Sequence, residues 1–119
     1  MPGGWRQVTD LDSPDIQNKS QKAAALVSKS MNSQYHMKLM KVTKAETQVV
    51  SGVNYRFEMF IGPTECKKSG NLTEQKIEDC PLQKCGKPLH CSVTMWVQAW
   101  RKDSHKVTNS SCQPVQPSC

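Results

Sequence analysis

No cysteine occurs in the first 65 residues, and the six that follow, at 66, 80, 85, 91, 112 and 119, contain no C-x-x-C pair. With His36, His90 and His105 each isolated, that spacing speaks against a zinc site, and neither a metal nor another cofactor is expected. A run of about 20 apolar residues is also missing, which excludes a transmembrane helix, and no apolar h-region opens the chain. Any signal peptide is therefore expected to have been removed from these 119 residues. Basic residues outnumber acidic ones, 16 to 10, yet they are scattered in short pairs such as Lys67-Lys68. Without a basic stripe the chain is not expected to bind nucleic acid, and no membrane partner is expected either. A nucleophile elbow is absent too, as is the single odd cysteine that a thiol hydrolase keeps free beside a histidine. An enzyme is not expected.

What is present points outward from the cell. At 119 residues the chain is long enough for one domain with a single modest core. An even number of cysteines in so short a chain implies a disulfide framework, whose connectivity the spacing alone leaves open. Three N-x-S/T sequons, at Asn18, Asn71 and Asn109, are candidate N-glycosylation sites and agree with an oxidising, extracellular life. The net charge of +6 and pI near 9.1 are ordinary for a secreted protein.

Along the chain, residues 1–12 read as a flexible, extended arm, with Gly3-Gly4 free to rotate. Ser13-Pro14-Asp15 then has the form of a helix start: an N-cap, a proline at the first helical position and an acid in the first turn. Ile16, Ala23, Ala24, Val27 and Met31 recur at helical spacing, so a helix over 14–30 should turn one stripe to a core. Segments 35–48 and 53–62 read as two long strands around a turn at 48–52. In the second, Tyr55, Phe57, Met59 and Ile61 share one face. Residues 63–89 read as a loop, 90–100 as a third strand with Cys91, Val93, Met95 and Val97 alternating, and 105–112 as a fourth. A helix followed by antiparallel strands gives an α+β class, the helix packed across one sheet face.

The turn holds Gln48-Val49-Val50-Ser51-Gly52, a Q-x-V-x-G pattern that puts two adjacent valines where water should reach them. Gly3-Gly4 lie ahead of it, then the helix. Downstream, four of the cysteines bracket Trp100. In this arrangement the chain resembles the cystatins, protein inhibitors of papain-like cysteine proteases, over essentially its whole length, and most closely the secreted, disulfide-bonded type 2 branch. The resemblance implies one long helix across a four- to five-stranded antiparallel sheet. It also implies a wedge in which the arm (Gly3, Gly4), the first hairpin (Gln48, Val49, Val50, Ser51, Gly52) and a second hairpin (Ala99, Trp100) enter the active-site cleft of a cathepsin L, S, B or H type protease. Inhibition would be tight, reversible occlusion, with no residue of this chain doing chemistry. The partner would bury Val49 and Val50, and burying a valine is worth about 1.5–3 kcal/mol.

Further implications come with the family. Asn32 stands where cystatins that also inhibit legumain carry their reactive asparagine; the plainer reading is a helix C-cap. Cys66–Cys80 and Cys91–Cys112 would pair, leaving Cys85 and Cys119 for a third bridge, two free thiols or an intermolecular link. A monomer is the default, and hairpin-exchanged dimers are known in the family. The chain departs from the pattern at Ala99, where proline is usual, at Ser33, where legumain inhibitors usually have an acid, and in its arm, only two residues long before Gly3. Trp96 competes with Trp100 for the contact role, and Val49-Val50 could be strand core. These departures and the positive charge support an alternative: a non-inhibitory cystatin-fold binding or antimicrobial module.

Overall fold

Pairing and capping rules written into the chain account for most of the architecture seen in a computed structural model, which describes residues 4–101, 104–117 and 119. The elements run β1 (Trp5–Gln7), α1 (Pro14–Ser30), β2 (Tyr35–Val50), β3 (Gly52–Lys67), a 3-10 turn (Lys68–Gly70), α2 (Glu74–Glu78), β4 (Leu89–Val97) and β5 (His105–Pro114). The five strands form one antiparallel sheet in sequence order, β1-β2-β3-β4-β5, and α1 packs against one of its faces.

Helix α1 starts where its sequence supplies a cap. Ser13 Oγ accepts a hydrogen bond from the Ile16 N–H at 3.3 Å, and Pro14 and Asp15 occupy the first turn. Its buried face is made of small residues: Ser20, Ala23 and Ala24 are fully buried, with Ile16 and Val27 beside them. Such a stripe lets the helix lie close to the sheet, where it meets Tyr55, Phe57, Met59 and Ile61 of β3 and Cys91, Val93, Met95 and Val97 of β4. Two polar ties fix the contact. Ser28 Oγ accepts from the Met37 N–H at 2.9 Å, and Tyr55 Oη donates to Asp15 Oδ2 at 3.0 Å. Burial, reinforced by that carboxylate, pushes the Tyr55 hydroxyl up to about 12.

Strand β2 is bulged against β3 between Tyr35 and Met37, Leu39 and Lys41, and Val42 and Lys44. Bulges bend and twist a strand, which lets a 16-residue strand curve over the helix. All six cysteines are paired, as Cys66–Cys80, Cys85–Cys119 and Cys91–Cys112. Each bridge of this loop size typically contributes about 2–4 kcal/mol.

Four segments differ from the sequence reading, the first being the turn expected at 48–52, which is reduced to Ser51 because β2 runs to Val50 and β3 starts at Gly52. The arm at 1–12 is not free throughout: Trp5–Gln7 form β1 on the edge of β2, the Val8 N–H donates to the Ala45 carbonyl at 2.8 Å, and Val8 and Leu11 pack on the core. A three-residue strand is too short to show a period. The loop at 63–89 is partly structured. Strand β3 continues to Lys67 because Thr64, fully buried, donates its hydroxyl to the His36 carbonyl at 2.8 Å. Thr73 caps α2, whose Ile77 is buried, and Glu74 receives Lys22 at 2.8 Å and Lys29 at 3.5 Å. Burial works against the Glu74 charge, yet the two ammonium groups hold its carboxyl below the ordinary value. Lastly, β4 ends at Val97, so Ala99 and Trp100 belong to a turn closed by Arg101 N–H donating to the Gln98 carbonyl at 3.0 Å.

Candidate functional site

Sheet register brings the distant segments together. Trp5 pairs with Gln48, Gln48 with Asn54, Asn54 with Trp96, and Trp96 with Lys106, a single row across all five strands. At the end of the sheet just beyond this row lie Gly4, immediately before β1, the β2–β3 turn at Val50-Ser51-Gly52, and the β4–β5 turn with Ala99 and Trp100. Gly4 is exposed and has open space around it; Gly3 lies outside the described residues.

The apolar residues at this end face water. Val49 is 61% exposed, Val50 38% and Trp100 63%, against 8% for Val42 earlier on the same strand. Both valines lie in the last two positions of β2, paired with Val53 and Gly52, so they are strand residues at the rim of a hairpin whose tip is Ser51 alone. Gly52 makes so tight a tip reachable. Its φ of +95° suits glycine, and a Cβ there would collide with the Val97 carbonyl oxygen. At the base of the hairpin, Asn54 Nδ2 donates to Gln48 Oε1 at 2.9 Å.

Strand β1 is fixed by a clamp that the sequence reading missed. The Arg56 guanidinium sits 4.0 Å over the Trp5 ring while its Nε donates to Glu46 Oε1 at 3.0 Å. That hydrogen bond with Arg56 holds the Glu46 carboxyl below its ordinary value. The residues are 51 and 10 positions from Arg56 along the chain, and no local signal joins Trp5 to the other two. Trp96 has a different place from the one weighed in the sequence. It is half-buried and donates its Nε1–H to the Ser51 carbonyl at 2.8 Å, whereas Trp100 stands out in the turn.

Asn32 lies at the opposite end of β2, exposed in the connection after α1. It is not the helix cap. Met31 takes that position, donating its N–H to the Ser28 carbonyl at 3.2 Å, and Asn32 is absent from the residues with left-handed backbone. Lys68 braces the connection: its Nζ donates to the Ser28 and Met31 carbonyls at 2.6 and 2.8 Å, and its backbone N–H to the Gln34 carbonyl at 2.8 Å. Ser33 turns inward, accepting from the Tyr35 N–H and donating to the Tyr35 carbonyl. The sequon asparagines Asn18, Asn71 and Asn109 are all exposed.

One long helix, α1, lies across an antiparallel five-stranded sheet, with three chain segments aligned at one end of it. The same fold occurs in dimeric human cystatin F, with a TM-score of 0.85, 24% identity and coverage of 98% of this chain and 90% of that one. It occurs also in the salivary cystatin of the soft tick Ornithodoros moubata, with a TM-score of 0.78, 25% identity and coverage of 95% and 99%. By sequence, the chain matches the Cystatin domain over residues 3–100. It is 39% identical over 117 residues to Cystatin-1 of Chilobrachys guangxiensis, covering 98% of this chain and 85% of that protein. To L-cystatin of Tachypleus tridentatus it is 41% identical over 113 residues, covering 95% and 83%. The chain belongs to the cystatin family, and its disulfides agree with the type 2 branch. Cystatins are protein inhibitors of cysteine proteases, so this is an inhibitor and not an enzyme.

Proposed function

We propose that this chain, acting as one domain, is a reversible, tight-binding inhibitor that occludes the cleft of papain-like cysteine proteases of the cathepsin L, S, B and H type. The observation that carries the reading is the row Trp5-Gln48-Asn54-Trp96-Lys106, which aligns the arm and both hairpins at one end of the sheet. Val49, Val50 and Trp100 hold unspent apolar area there, and tryptophan is the residue type most enriched among interface hot spots. Gly3 and Gly4 would let the arm turn toward the substrate-side subsites; Gln48, Ser51 and Gly52 would shape the first loop, and Ala99 the second. The chain is secreted in this reading, supported by its disulfides and by three exposed sequon asparagines, the sites where glycans would attach. It acts as a monomer.

Legumain is a second target in this proposal, met by Asn32. The support is its exposure on a connection that Lys68 holds from three sides, at the end of β2 away from the valines. Both proteases could then be held at once. Titration against active papain with a fluorogenic substrate, then dilution, tests the first site, with one-to-one reversible inhibition expected. Absence of inhibition by a fully oxidised sample would leave the non-inhibitory binding module instead. For the second site, Asn32→Ala should abolish legumain inhibition and leave papain inhibition unchanged.

A further inference from the structure

The hydrogen bond from Trp96 to Ser51 joins two hairpins that are 45 residues apart. Trp96 is the penultimate residue of β4, and its neighbours Met95 and Val97 are buried toward α1 while its own side chain lies on the other face, half-exposed. Ser51 is the one residue of the first hairpin outside both strands. Its carbonyl is therefore held by the neighbouring hairpin rather than by its own ladder. The fit is close on both sides of that bond, since a Cβ on Gly52 would meet the Val97 carbonyl oxygen and the Trp96 Nε1.

We propose that Trp96 is a positioning residue that fixes the tip of the first hairpin, and so Val49 and Val50, relative to the second hairpin at Ala99 and Trp100, making the two loops one rigid surface. The proposal rests on the wedge reading above. An exposed hairpin tip closed by one residue would otherwise be free to hinge, and ordering it on binding would subtract from affinity. Proline in place of Ala99 would stiffen the second loop from within. This chain stiffens the pair from between them, through an indole N–H that phenylalanine or tyrosine at this place could not supply with the same reach.

Trp96→Phe keeps a six-membered aromatic ring at this place and removes the five-membered ring of the indole with its N–H donor. Its loss should raise the inhibition constant for papain roughly 3- to 10-fold, the range of one net hydrogen bond. Hydrogen exchange in the free protein should quicken at residues 50–53 and stay unchanged in β3 and β4 beyond them. A double-mutant cycle separates this role from direct contact. In a Val49→Ala/Val50→Ala background, Trp96→Phe should cost no further affinity, because the residues it positions are gone. An equal loss in both backgrounds would mean that Trp96 touches the protease itself or supports the fold at large, and would overturn the proposal. So would unchanged exchange at 50–53, or unchanged inhibition by Trp96→Phe while the unsubstituted protein inhibits. Failure of the unsubstituted protein to inhibit would overturn the wedge, and this proposal with it.

Discussion

Replacing Val49 by aspartate, beside a Val42→Ala control, separates a side chain held for a partner from one held for the core. Both valines sit on β2, one 61% exposed and the other 8%. Full burial of valine is worth about 1.5–3 kcal/mol. Folding has thus already used about two fifths of it at Val49, or roughly 0.6–1.2 kcal/mol. At 119 residues that corresponds to a fall in melting temperature of about 2–5 °C. The remaining three fifths, about 0.9–1.8 kcal/mol, is available to a partner, and a carboxylate carried into a dry cleft adds a further penalty of several kcal/mol. Papain inhibition by Val49→Asp should therefore weaken at least tenfold. Val42→Ala should do the reverse. Losing methyl groups from a closed site costs about 2–3 kcal/mol, a fall of about 8–12 °C, while inhibition by the folded fraction stays as it was. Differential scanning calorimetry and steady-state inhibition read the two effects separately. A Val49→Asp protein that melts as early as Val42→Ala and still inhibits papain would refute the assignment of Val49 to the edge.

Three further substitutions probe other links in the argument. Gly52→Ala should lower both the melting temperature and the affinity for papain, because a Cβ at φ +95° collides with the Val97 carbonyl; backbone strain of this kind costs about 1–3 kcal/mol, and an unchanged melting curve would contradict it. Ala99→Pro should tighten papain inhibition about 2- to 5-fold by removing freedom from the second loop, and the dissociation rate measures it. Burial, then Lys68 and Lys29, hold the His36 imidazole below its ordinary value of 6.5. Between that lowered value and 6.5 the unfolded chain binds more protons, so stability falls as the pH drops through that window. His36→Gln should lose less stability than the parent protein between pH 7.5 and pH 5 in urea titrations, and parallel losses would refute the cause given.

Period and capping made much of the fold readable. Tyr55 to Ile61 and Cys91 to Val97 alternate without interruption, and every inward residue of the two runs is buried. Ser13-Pro14-Asp15 marked the start of α1 to the residue. The failures have physical causes. Thr64 gave no apolar signal, because its burial is satisfied by a hydroxyl bonded to the His36 carbonyl, so the continuation of β3 went unread. At the candidate site, Val49-Val50 stood out as adjacent apolar residues beside Ser51-Gly52, but local pattern left strand core open. Only the family resemblance turned the reading toward the edge; the structure keeps both valines in β2 and exposed. Trp96 did not stand out, since its distinguishing bond reaches Ser51 on another hairpin. The Trp5, Arg56 and Glu46 clamp was hidden for the same reason: only the strand register puts the three side chains together.

The two ends of α1 are completed by partners at different distances along the chain, and this predicts an order of folding. The N-terminal end needs only its neighbours, since Ser13 caps Ile16 three residues on. The other end, besides the local bond from the Met31 N–H to the Ser28 carbonyl, takes Lys68, whose ammonium reaches Ser28 from 40 positions further along the chain, with the whole β2–β3 hairpin between them. Glu74, beyond the same hairpin, takes Lys22 and Lys29. Closing so long a loop is slow and entropically costly beside winding a helical turn. In a refolding experiment the first turns of α1 should gain exchange protection early, and the last turn only when the long hairpin closes. That last turn is a built-in reporter of hairpin completion, and the connection bearing Asn32 acquires its final shape in the same step.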